Sequence, residues 1–334
     1  MSVWNWQETE TGRNHWWVGG GIAAALLLLF VMVLAFWWSR SPSPFWVTSD
    51  VSGQQAPIGY STTQTLIEVI ETLLNKSGGY LSNDIAPPGV FLDNIPNWEF
   101  GVLVQIRDLS RALRNDYSRS QSQSTADPDL SLAEPVLNYD HNSWMLPSSE
   151  SQYKKGVKYL RAYRDRLSDP QNPGAQFYAR ADNLREWLAI VEKRLGSLSQ
   201  RLSASVGQVR VNTDLAGDPA ARNTDTLPDY VSVETPWLKI DDIFFEARGT
   251  AWALVHFLRA AQFDFKNVLQ DKNAVVSLRQ IIRELEGGLR PINSPLILNG
   301  SGYGVFANHS LVLASYLSRA NSAVINLREL LDRG

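Results

Sequence analysis

Along the chain the hydrophobic positions first run unbroken and then recur every three or four residues. Residues 18 to 38, VGGGIAAALLLLFVMVLAFWW, carry no charge. At about 1.5 Å per residue a helix of that length spans roughly 31 Å, one hydrocarbon core. Trp16 and Trp17 flank one end and Trp37 and Trp38 the other, where indole rings favour the membrane interface. The run leaves through WWSR rather than through small residues, so it predicts an uncleaved signal anchor and not a cleaved signal peptide. Residues 1–17 are then a short arm, and residues 39–59, rich in Ser, Pro and Gly, a tether. Residues 60–334 make up the soluble domain, and it contains no second run of spanning length, which predicts a single pass.

Within the domain the period is helical. Leu66, Ile67, Ile70, Leu73 and Leu74 share one face of a helix over 61–76, behind hydroxyl residues placed to cap it and before Gly78. The same spacing recurs through Val102, Leu103, Ile106, Leu109 and Leu113 between Trp98 and Tyr117, and from Tyr153 to Leu167. Leu184, Leu188, Val191, Leu195, Leu198 and Leu202 step by four and three, a heptad seam that could pair with a second copy of the chain or pack on neighbouring helices. Residues 207–235, including GDPAARNTDT, predict a long polar loop with a small strand pair around Val209, Val211, Val231 and Val233. Thr235 and Pro236 read as an N-cap and a first-turn proline of a helical region reaching about residue 270. VSLRQIIRELEGG is a further helix ended by Gly287 and Gly288, and Asn308 can cap a final one through Leu331. The fold class is mainly α: one N-terminal transmembrane helix, then an α-helical domain with long ordered loops.

Charge and composition narrow the chemistry. The 31 basic and 34 acidic residues of the 334-residue chain leave a formal charge of −3 without a block of like charge, so no nucleic-acid partner is expected. The absence of cysteine removes disulfides, thiolate zinc sites and cysteine nucleophiles. No cofactor and no metal are expected. Arg13 and Arg40 sit on opposite sides of the apolar run and give the positive-inside rule little to act on. The short arm before the run and the long domain after it favour a domain outside the cytoplasm.

Several groups could carry chemistry, each with a plainer role beside it. Asp242, Glu246, Gly249, Ala253 and His256 fall on one helical face, but about 21 Å separates its ends, and acids in a first turn also complement the helix dipole. Arg107, Arg111 and Arg114 recur at i, i+4 and i+7 and could clamp an anion, with acids nearby to pair with instead. Lys154, Lys155, Lys158, Arg161 and Arg164 make a second basic strip. In the stretch GGYLSNDIAPPGVFLDNIPNWEFG, Asp84, Asp93 and Glu99 could offer oxygens to a hard cation, without EF-hand spacing. Its turn residues, Pro87-Pro88-Gly89 and the apolar Val90, Phe91, Leu92 and Trp98 point instead to a rigid, packed connector. NGSGYG before Asn308 has amides for an anion but lacks a P-loop lysine, and Ser301 and His309 lie in no nucleophile elbow.

The strings GYLSNDIAPPGVFLDNIPNWEFGVLVQIRDLSRALRNDYSRSQSQS, AQFYARADNLREWL, RLGSLSQRLSAS and NGSGYGVFANHSLVLASY resemble a bacterial inner-membrane family, domain of unknown function 2333, from about Trp37 to the carboxy terminus. The resemblance implies a proteobacterial envelope protein with one amino-terminal membrane helix, and it implies no activity. The expectation is therefore a single-pass inner-membrane protein with its bulk in the periplasm, touching the bilayer through residues 18–38 and other envelope proteins through its domain. An envelope hydrolase or transferase acting on peptidoglycan or lipid, and a sensor of an anionic ligand, are the competing expectations.

Overall fold

Ala and Leu, both strong helix formers, carry the first helix, α1 (Glu10–Trp38), across the apolar run. The computed structural model describes residues 10–47, 50–51, 54–120, 124–169, 174–211, 230–294 and 296–333. Trp17–Trp38 has a mean hydropathy of 2.6 and its apolar window is not buried by the rest of the chain, so it is long and apolar enough to cross a membrane. The remaining helices are α2 (Tyr60–Asn75), α3 (Asn94–Ala112), α4 (Pro128–Leu137), α5 (Ser149–Ser168), α6 (Ala181–Ser203), α7 (Ile240–Asp264), α8 (Lys266–Asp271), α9 (Val275–Gly288) and α10 (His309–Asp332). Two antiparallel pairs, β1 (Asp50–Val51) with β2 (Gln54–Gln55) and β3 (Gln208–Val211) with β4 (Tyr230–Val233), are the described strands. The chain is thus a mainly α domain behind one apolar helix. Residues 1–9 of the arm and the GDPAARNTDT loop lie outside the described residues.

Cross-helix contacts fix the direction of each helix. α3 and α7 run side by side in parallel: Asn97 donates to Asp242 at 2.7 Å near their starts, and the Tyr117 and Phe265 rings meet at 5.2 Å beyond their ends. α2 runs the other way, because its first amides bond Asp264 at the end of α7. α5 opposes α2 through Arg164–Gln64 at 2.6 Å and through Tyr153–Tyr80. α6 opposes α3 through Arg194–Asp108 at 2.8 Å. α10 opposes α6, with Ser199 donating to the Ala314 carbonyl at 3.2 Å and Arg185 bonding Asp332, and α9 opposes α10 through Glu284–Arg319 at 2.8 Å. Connections therefore fall at two ends. The described residues of 76–93, 138–148, 204–239 and 289–308 lie at one, and those of 113–127, 169–180 and 265–274 at the other.

The core runs the length of this bundle, with Trp98, Trp187, Trp252, Tyr117, Tyr153 and Phe257 among its largest buried side chains. Every residue of the heptad seam, Leu184 through Leu202, is buried, and α6 makes its most extensive contact with α10 of the same chain. The seam is thus covered intramolecularly.

Local details depart from the sequence reading for identifiable reasons. α4 is an additional helix: Asp127 caps it by accepting from the Asp129 and Leu130 amides, while Pro135 inside it obscures the helical pattern. α2 is not capped by its own hydroxyls. Asp264, from across the core, accepts from the amides of Gly59 at 2.9 Å and Thr62 at 2.7 Å and from the Thr62 hydroxyl at 2.6 Å. Thr235 and Pro236 open a 3-10 turn, Trp237–Lys239, before α7 begins without a side-chain cap. Gly287 and Gly288 are the last two residues of α9, as expected, and they also admit α10, since a Cβ there would meet the Tyr316 ring at 2.4 Å and Leu313 at 2.9 Å. Asn308 caps α10 as expected, accepting from the Leu311 amide at 2.8 Å.

Candidate functional site

The tether is where the sequence and the structure differ most. A Ser- and Pro-rich run has little reason to fold on its own, yet residues 40–46 lie along α2 and bound a groove of about 680 Å³ with Glu68, Glu71, Asn75 and Lys76. Two aromatic contacts hold it. At the start, the Trp38 ring covers Gly78, whose φ of +83° places its missing Cβ 2.7 Å from that ring. Farther along, the Phe45 ring stacks on His256 at 4.0 Å and meets Trp252 edge-on at 5.9 Å.

His256 is fully buried and both ring nitrogens are used. Nδ1 lies 2.6 Å from the Trp252 carbonyl and donates to it, which leaves Nε2 to accept the Phe45 amide at 3.0 Å. Burial, reinforced by Arg259, holds the imidazole pKa down at about 4. Arg259 also donates to the Phe45 carbonyl at 3.4 Å, lies over the Trp46 ring at 5.7 Å and pairs with Glu286 at 2.7 Å. The histidine proposed for acid/base work is thus the neutral dock of a strap that joins α1 to the bundle.

This bonding has a pH consequence. A histidine whose folded pKa lies below its unfolded value of 6.5 is protonated first in the unfolded or undocked chain, so stability is full above pH 6.5 and falls as pH drops toward about 4. The whole interval corresponds to at most about 3 kcal/mol. Proteolytic cleavage between residues 40 and 47 is therefore expected to speed up on acidification from pH 7 to pH 4.5. His256→Ala, which strands the Phe45 amide at a cost of about 1–3 kcal/mol, is expected to show fast cleavage already at pH 7. Equal cleavage of the two proteins at pH 7 would show that His256 does not hold the strap.

The other residues singled out from sequence are distributed rather than gathered. Glu246 is held in a two-pronged pair by Arg201 at 2.8 and 2.7 Å. Asp242 accepts from Asn97, and burial together with the neighbouring Asp241 and Asp93 raises its pKa. Asp93 caps α3 by accepting from the Asn94 amide. Asp84 stands at the other side of the same loop, its pKa raised by burial and by Glu150. Among the described residues no group of three or more His, Asp or Glu side chains is placed to hold a metal. Arg107 donates to the carbonyls of Leu137 at 3.1 Å and Tyr139 at 2.7 Å, Arg114 bonds Glu134, and Arg111 approaches Glu134 at 3.8 Å. That strip fastens the end of α4 to α3. On α5, Arg161 and Arg164 bond Glu71 and Gln64 of α2, while Lys154, Lys155 and Lys158 are exposed.

The connector of residues 76–93 is organised by Glu99, not by Asp84 or Asp93. Glu99 is fully buried, takes the amides of Leu81 and Ser82 and the Ser82 hydroxyl, and lies 2.5 Å from the buried Lys76 ammonium. Burial raises its pKa and Lys76 opposes the rise. Val90 and Phe91, expected to pack down, are 51% and 74% exposed. They sit on a one-turn 3-10 helix whose inner position is taken by Gly89. In NGSGYG, Gly300 donates its amide to the Ala307 carbonyl and Asn308 bonds the Gly300 carbonyl, closing a loop over residues 300–307. A cleft of about 390 Å³ between α3, α6 and α7 is lined by Gln105, Lys193, Arg194, Arg201 and Glu246, and its arginines are already paired. Phe45, Lys76 and Asp264 went unnoticed in the sequence, and Trp38 was read there only as an interface residue. The Phe45-Trp46 pair was the available signal, since a freely moving linker has no use for two adjacent aromatic rings.

An apolar helix long enough to cross a bilayer, strapped to a helical bundle, defines the class. Residues 10–334 match the family model described as "Uncharacterized protein conserved in bacteria (DUF2333)", and the chain belongs to that family. Searches among curated proteins and among solved structures found no match.

Proposed function

We propose that the chain is a single-pass inner-membrane protein of the bacterial envelope whose periplasmic bundle acts as a non-enzymatic interaction or scaffold module. The observation that carries this reading is the strap. Residues 40–46 fix the bundle at a set distance and orientation from α1, as a platform for other proteins requires and a freely swinging enzyme domain does not. It is supported by the work the charged candidates already do, since Arg107, Arg114, Glu246 and Glu99 each hold one helix or loop against another. The apolar, unburied α1 supports the anchor.

Paired fusions at the carboxy terminus test the placement: a reporter active only outside the cytoplasm is expected to work, and a fluorescent protein that matures only in the cytoplasm to stay dark. The reverse pattern would put the bundle in the cytoplasm. Cross-linking in intact membranes followed by affinity capture is expected to recover the same envelope protein in independent repeats. Capture of nothing reproducible, together with a monomeric purified chain, would sink the scaffold reading.

A further inference from the structure

The anchor leaves the bundle at one end, where Trp38 covers Gly78, and that end differs in surface chemistry from the other. Its four connections expose Ile85 at 62%, Phe91 at 74%, Leu146 at 90%, Trp237 at 79%, Tyr303 at 106% and Phe306 at 73%. The three connections at the opposite end expose no large hydrophobic side chain among their described residues, although Ile58, Leu132, Phe263 and Val276 are exposed within a few residues of them. Four chain segments far apart in sequence place bulky apolar and aromatic residues on the same end. A soluble surface rarely gathers them without a partner.

The strap sets the geometry. From Trp38 to Phe45 is seven residues, at most about 25 Å of extended chain, and Phe45 docks at His256, which lies sixteen residues into α7. α7 therefore begins, at Trp237 and Ile240, near the level at which α1 ends. Residues 80–83 are bonded to the 138–148 connection at that level, through Tyr80 to the His141 carbonyl at 3.1 Å and Asn83 to the Ser143 carbonyl at 2.7 Å.

We propose that this end of the bundle rests on the bilayer that α1 crosses, with the tips of the 76–93, 138–148 and 289–308 connections inserted in the interface of the leaflet from which Trp37 and Trp38 emerge. The inference rests on α1 being a retained anchor, as proposed above. Trp, Tyr, Phe and Leu at loop tips are the side chains that partition into this region, and the strap makes the contact intramolecular. Charge does not drive it. Exposed Asp93 and Asp140 share this end with Lys154, Lys155 and Lys158, so the contact is apolar and persists on zwitterionic lipid.

The chain contains no cysteine, so a single introduced thiol can carry an environment-sensitive fluorophore. Phe91→Cys, Leu146→Cys and Phe306→Cys report on the apolar end, Val276→Cys on the opposite end and Leu27→Cys on α1. In full-length protein reconstituted into phosphatidylcholine vesicles, quenching by aqueous iodide at positions 91, 146 and 306 is expected to be about fivefold weaker than at 276, with quenching by nitroxide-bearing lipid instead. Iodide reaching those three positions as readily as 276 while Leu27 stays shielded would overturn the proposal and leave the anchor standing. Iodide reaching Leu27 as well would remove the anchor and the proposal together. Shielding found in native membranes but not in lipid vesicles would assign this end to a protein partner and overturn it.

Discussion

Gly249→Ala is expected to lower the stability of the bundle by about 3 kcal/mol or more, near the upper range for overpacking a core. Alanine ordinarily favours a helix over glycine by about 1 kcal/mol, so the sign alone tests the packing. A Cβ on Gly249 would lie 2.0 Å from the Trp98 carbonyl oxygen, and one on Gly101 would lie 2.1 Å from that of Glu246. The two glycines thus let α3 and α7 cross backbone to backbone, and a carbonyl inside a helix cannot swing aside as a side chain can. Separating the helices would also disturb the Trp98–Trp252 contact at 5.2 Å and the bond from the Thr250 hydroxyl to the Gly101 carbonyl. Thermal melting of the detergent-solubilised chain should show a drop of roughly 10 °C. Gly196→Ala is the control, because its Cβ would meet Asn321 at an ordinary 3.5 Å. A melting point for Gly249→Ala at or above that of the native chain would show that the helices do not cross this closely.

Glu99→Gln is expected to cost about 3–5 kcal/mol, the range for breaking a buried ion pair from one side. The side chains of Lys76 and Glu99 are 2% and 0% exposed, so the ammonium left behind would find no water to replace the carboxylate. The glutamine amide group would also face donors, the amides of Leu81 and Ser82, that the carboxylate now accepts. Lys76→Met leaves the opposite charge stranded. Glu99 can answer by taking a proton, so this loss should shrink as pH falls, the direction in which burial already pushes its pKa. The double variant Lys76→Met with Glu99→Gln should recover part of the summed loss. Denaturant titrations of the four proteins measure the coupling. Strictly additive losses would mean that the pair contributes nothing as a pair. Because Glu99 also bonds the 76–93 connection, whose tip carries Phe91, loss of the pair should loosen that loop before the bundle melts.

The helices were legible wherever one face could be buried against the core. The positions Leu66 to Leu74, Val102 to Leu113 and Leu184 to Leu202 follow a period that any amphipathic helix must show, and nearly all of them are buried. α4 was not legible, because it is short, contains Pro135 and draws its register from Asp127, from Arg107 on α3 and from Arg114 in the turn that follows it. The partners of the candidate groups were not legible for one common reason. A charge in a sequence looks the same whether it will meet a ligand or a partner of its own chain. Arg107, Glu246 and His256 found theirs in Tyr139, Arg201 and Phe45, which lie 32, 45 and 211 positions away.

The sequence by itself determined the apolar helix of residues 18–38, the mainly helical character of the domain behind it, the cap at Asn308 and the exclusion of cysteine chemistry, because uncharged length, hydrophobic period and composition are local properties. Only the tertiary structure decided that the tether is a strap, that Glu99 and Lys76 form a buried pair, that Gly101 and Gly249 are a crossing point, and that the exposed apolar loops share the end at which α1 departs. Each of these depends on which helix ends lie side by side, and that arrangement comes from burying several amphipathic faces at once, a condition no single segment contains.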